Sequence, residues 1–256
     1  MGQKKVKAVL FDLGDTLINF GKVDAIELFK QGGRLAYDFL QNANQPTGSF
    51  ESFIRKYLLK IKLYHVFSSI IGRDFDSTQL LRKTAQKKGV RLNDKQWAEF
   101  AWCWYEPLSK VAAVEDNIKQ TLVRLKEAGL KIGILSNTFI NATTLERHLR
   151  QLGMVDLFDL RLYSYQFSCR KPNKKIFLAA AEKIQTPPEN IIFVGDRLDT
   201  DVFGSLRVKM MSVLKKAYTN SKKKIPKGVI RIEKLAELPE IIERINSSEA
   251  AMVSVG

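Results

Sequence analysis

Apolar and polar residues follow two different patterns along the chain, and the change between them predicts two structural units. Residues 5–13 form a short apolar run that is typical of a buried strand. Over residues 23–108 the apolar positions recur at helical spacing and strand signals are almost absent, which predicts a small bundle of helices. Asp76 or Ser77 should cap the third of these helices, and Asn93 should cap the fourth.

After the bundle, the pattern alternates between amphipathic helices and short apolar strands such as "LKIGILSN" and "NIIFVGD". Strands separated by helices of this length form a parallel sheet that is covered by helices on both faces. We therefore predict an α/β core from residues 1–20 and 109–246, with a helical unit over 21–108 inserted into it. The tail over 247–256 should be disordered.

Each strand that the pattern places ends on a polar residue. Asp12 follows the first strand, Ser136 and Asn137 end the second, and Asp196 ends "NIIFVGD". Between the last two lies "CRKPNKKIF", in which Lys171 precedes a proline suited to the first turn of a helix. Ligands of open parallel sheets gather at the carboxyl ends of the strands, so these residues are candidates for one site.

Four segments carry a family resemblance. In this order, "FDLGDTL", "ILSN", "RKPNKKIF" and "FVGDRLDTD" resemble the four motifs of the haloacid dehalogenase-like hydrolases, most of whose members transfer or hydrolyse phosphoryl groups. The resemblance extends over nearly the whole chain. It implies a Rossmann-like parallel sheet core, and it implies that the inserted helices form a cap that closes over the site and selects the substrate.

The resemblance also implies a metal-dependent nucleophilic mechanism. Asp12 would be the nucleophile and a metal ligand, the Gly14 carbonyl and Asp196 further ligands, and Asp201 a ligand from behind or through water. Carboxylates ~4 Å apart repel by ~1 to 4 kcal/mol, so a cation should lie among them, and a hard divalent ion such as Mg²⁺ suits oxygen ligands. Phosphate transfer to Asp12 would give an aspartyl-phosphate that water hydrolyses.

Substrate binding is implied for the middle two motifs. The Ser136 hydroxyl and a following backbone N–H, with Asn137 in the same turn, would hold phosphate oxygens of a small anionic substrate. Lys171 would stabilise both the nucleophile and the charge that develops on the phosphoryl group.

Gly14 departs from the family pattern, because phosphatases of the family usually carry a second aspartate there as the general acid. Three interpretations stay open. A phosphatase could obtain the acid from Asp15 or the cap, or use an activated phosphate. A phosphonate- or carbon–halogen-cleaving enzyme would also lack this aspartate, and the phosphonate branch needs a cap lysine. A catalytically weak binding or scaffold protein is the third. The cap lysines considered are Lys30, Lys56, Lys60 and Lys62.

Composition limits the partners. A formal net charge of +15 at pH 7 concentrates anions near the surface. The lysines are scattered with little aromatic interleaving, which favours a solvated basic surface over a nucleic-acid groove. Two distant cysteines, Cys103 and Cys169, should be reduced. No apolar run is long enough to span a membrane, so we expect a soluble, cytoplasmic protein, with its oligomeric state open.

An aromatic cluster lies near the end of the inserted helices. Its helical spacing favours the core of the bundle over the lining of a substrate pocket. Its members are Trp97, Phe100, Trp102, Trp104 and Tyr105.

Overall fold

The computed structural model describes residues 5–253, with the side chains at positions 65, 69 and 248–253 outside the description. Its strands are β1 (Ala8–Phe11), β2 (Lys131–Ser136), β3 (Leu160–Tyr163), β4 (Ile191–Gly195), β5 (Met211–Lys215) and β6 (Ile230–Ile232). Its helices are α1 (Ala25–Asn42), α2 (Phe50–Ile71), α3 (Ser77–Gln86), α4 (Asp94–Val111), α5 (Ile118–Glu127), α6 (Ala142–Gln151), α7 (Lys174–Lys183), α8 (Phe203–Leu206) and α9 (Leu238–Val253).

The six strands form one parallel sheet in the order β3-β2-β1-β4-β5-β6, which confirms the predicted fold class. β1 lies in the middle, where Ala8 is opposite Lys131 of β2 on one side and Ile191 of β4 on the other. The carboxyl ends of these three strands are therefore neighbours. From β1 the sheet grows to β2 and β3 on one side and to β4, β5 and β6 on the other. Such a switch point in the strand order is where open sheets bind ligands.

Side chains of β1 alternate between two buried layers. Val9 and Phe11 belong to the larger apolar cluster, which includes residues of α5, α6 and α9. Ala8 and Leu10 belong to a second cluster that includes residues of α7. A strand covered on both faces has apolar residues at every position, which explains why this segment has no alternation of apolar and polar residues.

Helices α1 to α4 lie between β1 and β2 in the chain and have an apolar cluster of their own. The predicted caps are present: Asp76 accepts a hydrogen bond from the backbone of α3, and Asn93 forms a capping box. Two glycines let α1 approach α4 closely, because a Cβ at Gly32 would lie 2.4 Å from the carbonyl oxygen of Trp104. The boundaries of the cap at residues 20/21 and 108/109 stay a prediction.

Helix α4 contributes aromatic side chains to both units. Trp97, Phe100 and Trp104 belong to the cluster of the helical insert. Trp102 and Tyr105 lie on another face of the helix and belong to the larger cluster of the sheet. The aromatic cluster of the sequence is thus divided between two cores.

The C-terminal helix is longer than the sequence predicts. α9 ends at Val253, so it continues into the segment from Ser247 that we expected to be disordered. The segment contains alanines and methionine, which favour helix, and no proline or glycine before Gly256. Residues 254–256 of the predicted tail lie outside the described residues. Within the described part of the chain, no helix has the length and apolarity needed to cross a membrane.

Candidate active site

Three buried aspartates meet at the carboxyl ends of β1 and β4. Asp12 and Asp196 directly follow the two strands, and Asp201 lies in a π-helical turn over Leu198–Val202. One carboxylate oxygen from each aspartate lies within 4.8 Å of the others. Asp12 is 8% exposed, and Asp196 and Asp201 are each 1% exposed. The predicted convergence of distant carboxylates is therefore present in the structure.

Gly195 lets Asp201 come this close. A Cβ at Gly195 would lie 2.4 Å from Oδ2 of Asp201, well inside van der Waals contact. The same carboxylate oxygen accepts a hydrogen bond from the backbone N–H of Arg197 at 3.0 Å. Sequence reasoning treated the glycine of "FVGD" only as part of a motif, whereas its missing side chain is what makes room for the acid.

Lys171 joins two of the three acids. Its Nζ lies 2.7 Å from Oδ1 of Asp12 and 2.7 Å from Oδ1 of Asp201, and its side chain is 2% exposed. Burial lowers the pKa of Lys171, but the two carboxylates together outweigh burial, so the pKa is raised and the ammonium stays charged. Two of the three carboxylates thus share one buried positive charge.

Asn137 fixes the backbone of Lys171. The Asn137 amide nitrogen donates to the Lys171 carbonyl at 2.9 Å, and the Lys171 N–H donates to the Asn137 side-chain oxygen at 2.8 Å. This reciprocal pair ties the end of β2 to the loop before α7. The role that we predicted for Asn137, phosphate binding, stays a prediction, since both ends of its amide contact the protein.

The three aspartates carry more negative charge than the one buried lysine beside them can balance. The pKa of Asp12 is raised to about 6 and that of Asp196 to about 7, mainly by burial, and the neighbouring carboxylates contribute to both increases. For Asp12, the Lys171 ammonium opposes this effect. A divalent cation would favour the ionised carboxylates, and an all-oxygen donor set suits a hard ion. These residues could therefore hold a metal.

The loop after β5 adds two residues that sequence reasoning missed. The Thr219 hydroxyl donates to Oδ2 of Asp196, and the Asn220 amide nitrogen donates at 2.8 Å to the carbonyl oxygens of both Asp196 and Lys215. Asn220 is buried. The available signal was a short polar run at the carboxyl end of another strand of the same sheet.

Asp15 uses one carboxylate oxygen to hold the turn after β1. Its backbone is left-handed, with φ of 57°, and its Oδ1 accepts the N–H groups of Phe20 at 3.0 Å and Gly21 at 3.2 Å. Its predicted role as general acid stays a prediction. At Gly14 a Cβ would lie 3.7 Å from the Phe20 ring, which is ordinary contact, so space does not exclude a side chain there.

One cavity of about 510 Å³ brings all the predicted site residues together. They are Asp12, Gly14, Asp15, Ser136, Asn137, Lys171, Asp196 and Asp201. The helical insert contributes Tyr105 and Leu108 to the lining. Within the described residues, none of the four candidate cap lysines lines this cavity.

A buried carboxylate connects the insert to the segment beside Lys171. Asp74, in the loop between α2 and α3, accepts a hydrogen bond from Arg170 at 2.9 Å and another from the Ser164 hydroxyl. Ser68 of α2 donates to the same carboxylate at 2.8 Å. Arg170 itself lines the active-site cavity, so this contact lies at the edge of the site.

Comparisons with known proteins agree with this arrangement. The chain is 29% identical over 208 residues to a glyceraldehyde 3-phosphate phosphatase of Methanopyrus kandleri, covering 81% of this chain and 83% of the relative. It is 28% identical over 257 residues to the glyceraldehyde 3-phosphate phosphatase of Pyrococcus furiosus, covering 99% and 100%. A 2-haloacid dehalogenase structure from Pseudomonas syringae shares the fold, with a TM-score of 0.62 at 22% identity over 93% of this chain and 99% of that chain.

A family model described as haloacid dehalogenase-like hydrolase matches residues 6–205. This range contains the site residues that precede the loop after β5, and it extends from β1 into α8. With four motifs meeting at one end of a parallel sheet, the chain belongs to the haloacid dehalogenase-like hydrolases.

Proposed function

We propose that this protein is a Mg²⁺-dependent phosphatase that hydrolyses a small phosphorylated metabolite through an aspartyl-phosphate on Asp12. The observation that carries the proposal is the buried cluster in which Lys171 contacts Asp12 and Asp201 while Asp196 lies beside them. Relatives named glyceraldehyde 3-phosphate phosphatase support this class of substrate.

Asp12, Asp196 and Asp201, with the Gly14 carbonyl, would hold the metal. Bound there, Mg²⁺ would neutralise the acids and offset the negative charge of the phosphoryl group. The remaining chemistry belongs to the chain. An oxygen of Asp12 attacks phosphorus, the bond to the leaving oxygen breaks with its electron pair, and Lys171 and Ser136 hold the phosphoryl oxygens. Water then cleaves the acyl phosphate, which releases phosphate and restores the Asp12 carboxylate.

The alternative enzymes fit the site less well. A phosphonate-cleaving enzyme needs a cap lysine at the substrate, yet Lys60 donates to Thr84 within the insert and Lys30 is exposed beside Glu27. A carbon–halogen-cleaving enzyme needs no metal and would have no use for Asp196 and Asp201. A scaffold protein would not require a buried lysine between two carboxylates.

The proposal is tested by phosphate release from p-nitrophenyl phosphate with and without Mg²⁺. We expect metal-dependent turnover that falls by about 10³-fold or more in Asp12→Asn, because the amide cannot act as the nucleophile. Asp199→Asn is the matched control, since Asp199 lines the same cavity but is exposed and paired with Arg197. Turnover by Asp12→Asn at the level of this control would exclude the mechanism.

The same preparation separates the alternatives. Phosphonoacetaldehyde with borohydride should trap no lysine adduct. A trapped cap lysine would favour the phosphonate branch. Salt-sensitive binding of nucleic acid without any metal-dependent turnover would favour the scaffold interpretation.

A further inference from the structure

A second pocket adjoins the active-site cavity. Tyr105, Leu108 and Ile140 line both spaces. From these residues the second pocket extends between α1, α3 and α4 of the insert and the loop after β2. We refer to it as the apolar pocket. A substrate whose phosphate lies at Asp12 would have the apolar pocket beside the rest of its body.

The apolar pocket differs chemically from the cavity at the acids. Its walls include Leu28, Phe29, Leu108, Phe139 and Ile140, and among the described residues no charged side chain lines it. The active-site cavity is lined by five aspartates and by basic side chains. Polyhydroxylated sugars would leave hydroxyl groups unpaired against such walls, whereas an apolar body would lose contact with water there.

Aromatic rings form one wall of the apolar pocket. Phe139, only three residues beyond Ser136, stacks on Phe75 with ring centroids 5.3 Å apart and planes within 3°. Phe29 of α1 also stacks on Phe139, with ring centroids 6.4 Å apart and an interplanar angle of 23°. Phe29 and Phe139 both line the apolar pocket. A wall that contains two aromatic rings favours an aromatic partner, since ring–ring contacts add to the burial of area.

The polar chemistry near Asp12 points to the same substrate. Position 14 has no acid, and the Phe20 ring lies next to it. Asp15 has an oxygen engaged by two backbone N–H groups. Position 14 therefore offers no acid that could protonate the leaving oxygen. An alcohol ionises far less readily than a phenol, whose pKa resembles that of tyrosine at about 10, so a phenolate can leave without protonation.

We propose that the substrate is a phosphate monoester of an aromatic or enolic hydroxyl, whose flat apolar body occupies the apolar pocket. This inference rests on the proposed phosphatase function and specifies its substrate class. Asp12 bonds to phosphorus, the bond from phosphorus to the aryl oxygen breaks, and its electron pair leaves on the phenolate. The phenolate takes a proton from solvent after release.

The test compares three substrates in the presence of Mg²⁺: 2-naphthyl phosphate, glyceraldehyde 3-phosphate and acetyl phosphate. Acetyl phosphate has a good leaving group but no apolar body. We expect kcat/KM for 2-naphthyl phosphate to exceed that for glyceraldehyde 3-phosphate by about 10²-fold or more, in line with the contribution of general acid catalysis. We also expect it to exceed that for acetyl phosphate.

Two matched variants test the pocket itself. Leu28→Gln places an amide in the wall, and Ile26→Gln makes the same kind of change on α1 at a side chain that is 64% exposed and outside the lining. Leu28→Gln should lower the ratio of 2-naphthyl to acetyl phosphate kcat/KM about tenfold. Ile26→Gln should leave it unchanged. If Leu28→Gln folds poorly, Ala25→Phe replaces it as the test. Ala25 is at an exposed position of the lining, and this variant should lower the same ratio.

The failures are distinguishable. Faster hydrolysis of glyceraldehyde 3-phosphate than of 2-naphthyl phosphate would overturn the aromatic substrate and leave the phosphatase intact. Equal ratios in the Leu28→Gln, Ala25→Phe and Ile26→Gln variants would also overturn it. No metal-dependent release of phosphate from any of the three substrates would overturn the proposed function and this inference together.

Discussion

The charged end of the active-site space comes from strand ends of the core, whereas the apolar end comes mainly from α1, α3 and α4 and from the loop after β2. At the charged end the three acids have fixed partners, such as Lys171 for Asp12 and Asp201 and Thr219 for Asp196. At the apolar end the walls are side chains without directional bonds, such as Leu28 and Leu108. Under the proposed function, the core would supply the bond-breaking chemistry, and the surface of the helices would select the leaving group.

Removing the buried positive charge of Lys171 should have the largest effect on activity. Lys171→Met should lower kcat by about 10² to 10³-fold with every substrate, because it removes the ammonium that contacts two acids of the charged end. Lys174→Met, at the exposed start of α7, is the matched control. Steady-state kinetics with thermal unfolding of both variants provides the measurement. A substrate-selective loss would mean that the two ends do not divide the work as described.

A side chain at position 195, which would crowd the acids, should have the second-largest effect. Gly195→Ala would place a Cβ 2.4 Å from Oδ2 of Asp201, so the acid must move away from its neighbours. We expect the Mg²⁺ concentration for half-maximal activity to rise about 10 to 100-fold, as when groups that orient metal ligands are lost. Ser212→Ala, a small change in the neighbouring strand, should leave it unaltered. Equal metal dependence in both variants would contradict the role of Gly195.

Adding an acid at position 14 should have a smaller effect, which is a change in the relative turnover of two substrates. Gly14→Asp should raise turnover of glyceraldehyde 3-phosphate up to about 10²-fold more than turnover of 2-naphthyl phosphate, because only the alcohol needs a proton to leave. Gly14→Asn has a similar shape but no acid, and it should give no such selectivity. If both variants respond alike, position 14 acts through space and not through proton transfer.

The smallest effect concerns pH at the charged end. The raised pKa values of about 6 for Asp12 and about 7 for Asp196 mean that the metal-free fold binds more protons than the unfolded chain above pH 4. These two acids therefore stabilise the metal-free fold less as pH rises from about 4 to 7. Mg²⁺ needs the ionised forms, so its stabilising effect should grow over the same range.

The expected change in the stabilisation by Mg²⁺ follows from the competition between protons and the metal for the carboxylates. Displacing one proton weakens metal binding about tenfold per pH unit, or about 1.4 kcal/mol, once the pH is below the pKa. Thermal unfolding with and without Mg²⁺ at pH 5.5 and pH 8 gives this difference free of other titrating groups. Asp12→Asn should reduce it. A stabilisation by Mg²⁺ that is the same at both values would show that the metal binds elsewhere.

Sequence reasoning predicts the charged end well because its residues stand at fixed places in the fold. Asp12 and Asp196 each follow an apolar strand, and the parallel sheet makes those strands neighbours. Lys171 is harder to predict, because only the structure distinguishes it from the exposed lysines of "RKPNKK". The reciprocal pair with Asn137 fixes its backbone, and its buried ammonium lies between Asp12 and Asp201.

The apolar end could not be predicted in the same way. Phe139 and Phe29 are 110 positions apart in the chain, and no periodic pattern relates a loop phenylalanine to one on α1. Thr219 has no motif around it either, so its contact with Asp196 became visible only with the loop after β5 in place. The tail was expected to be disordered because chain termini often are, and this expectation did not weigh the helix-favouring residues over which α9 extends to Val253.

The ion pair of Asp74 with Arg170 has a mechanical consequence. Asp74 lies in the helical insert, whereas Arg170 immediately precedes Lys171, which contacts Asp12. Any swing of α1 to α4 away from the sheet must separate this pair and leave a shielded carboxylate without its counter-charge. Under the proposed function, opening the insert to admit a substrate would therefore also disturb the backbone beside Lys171.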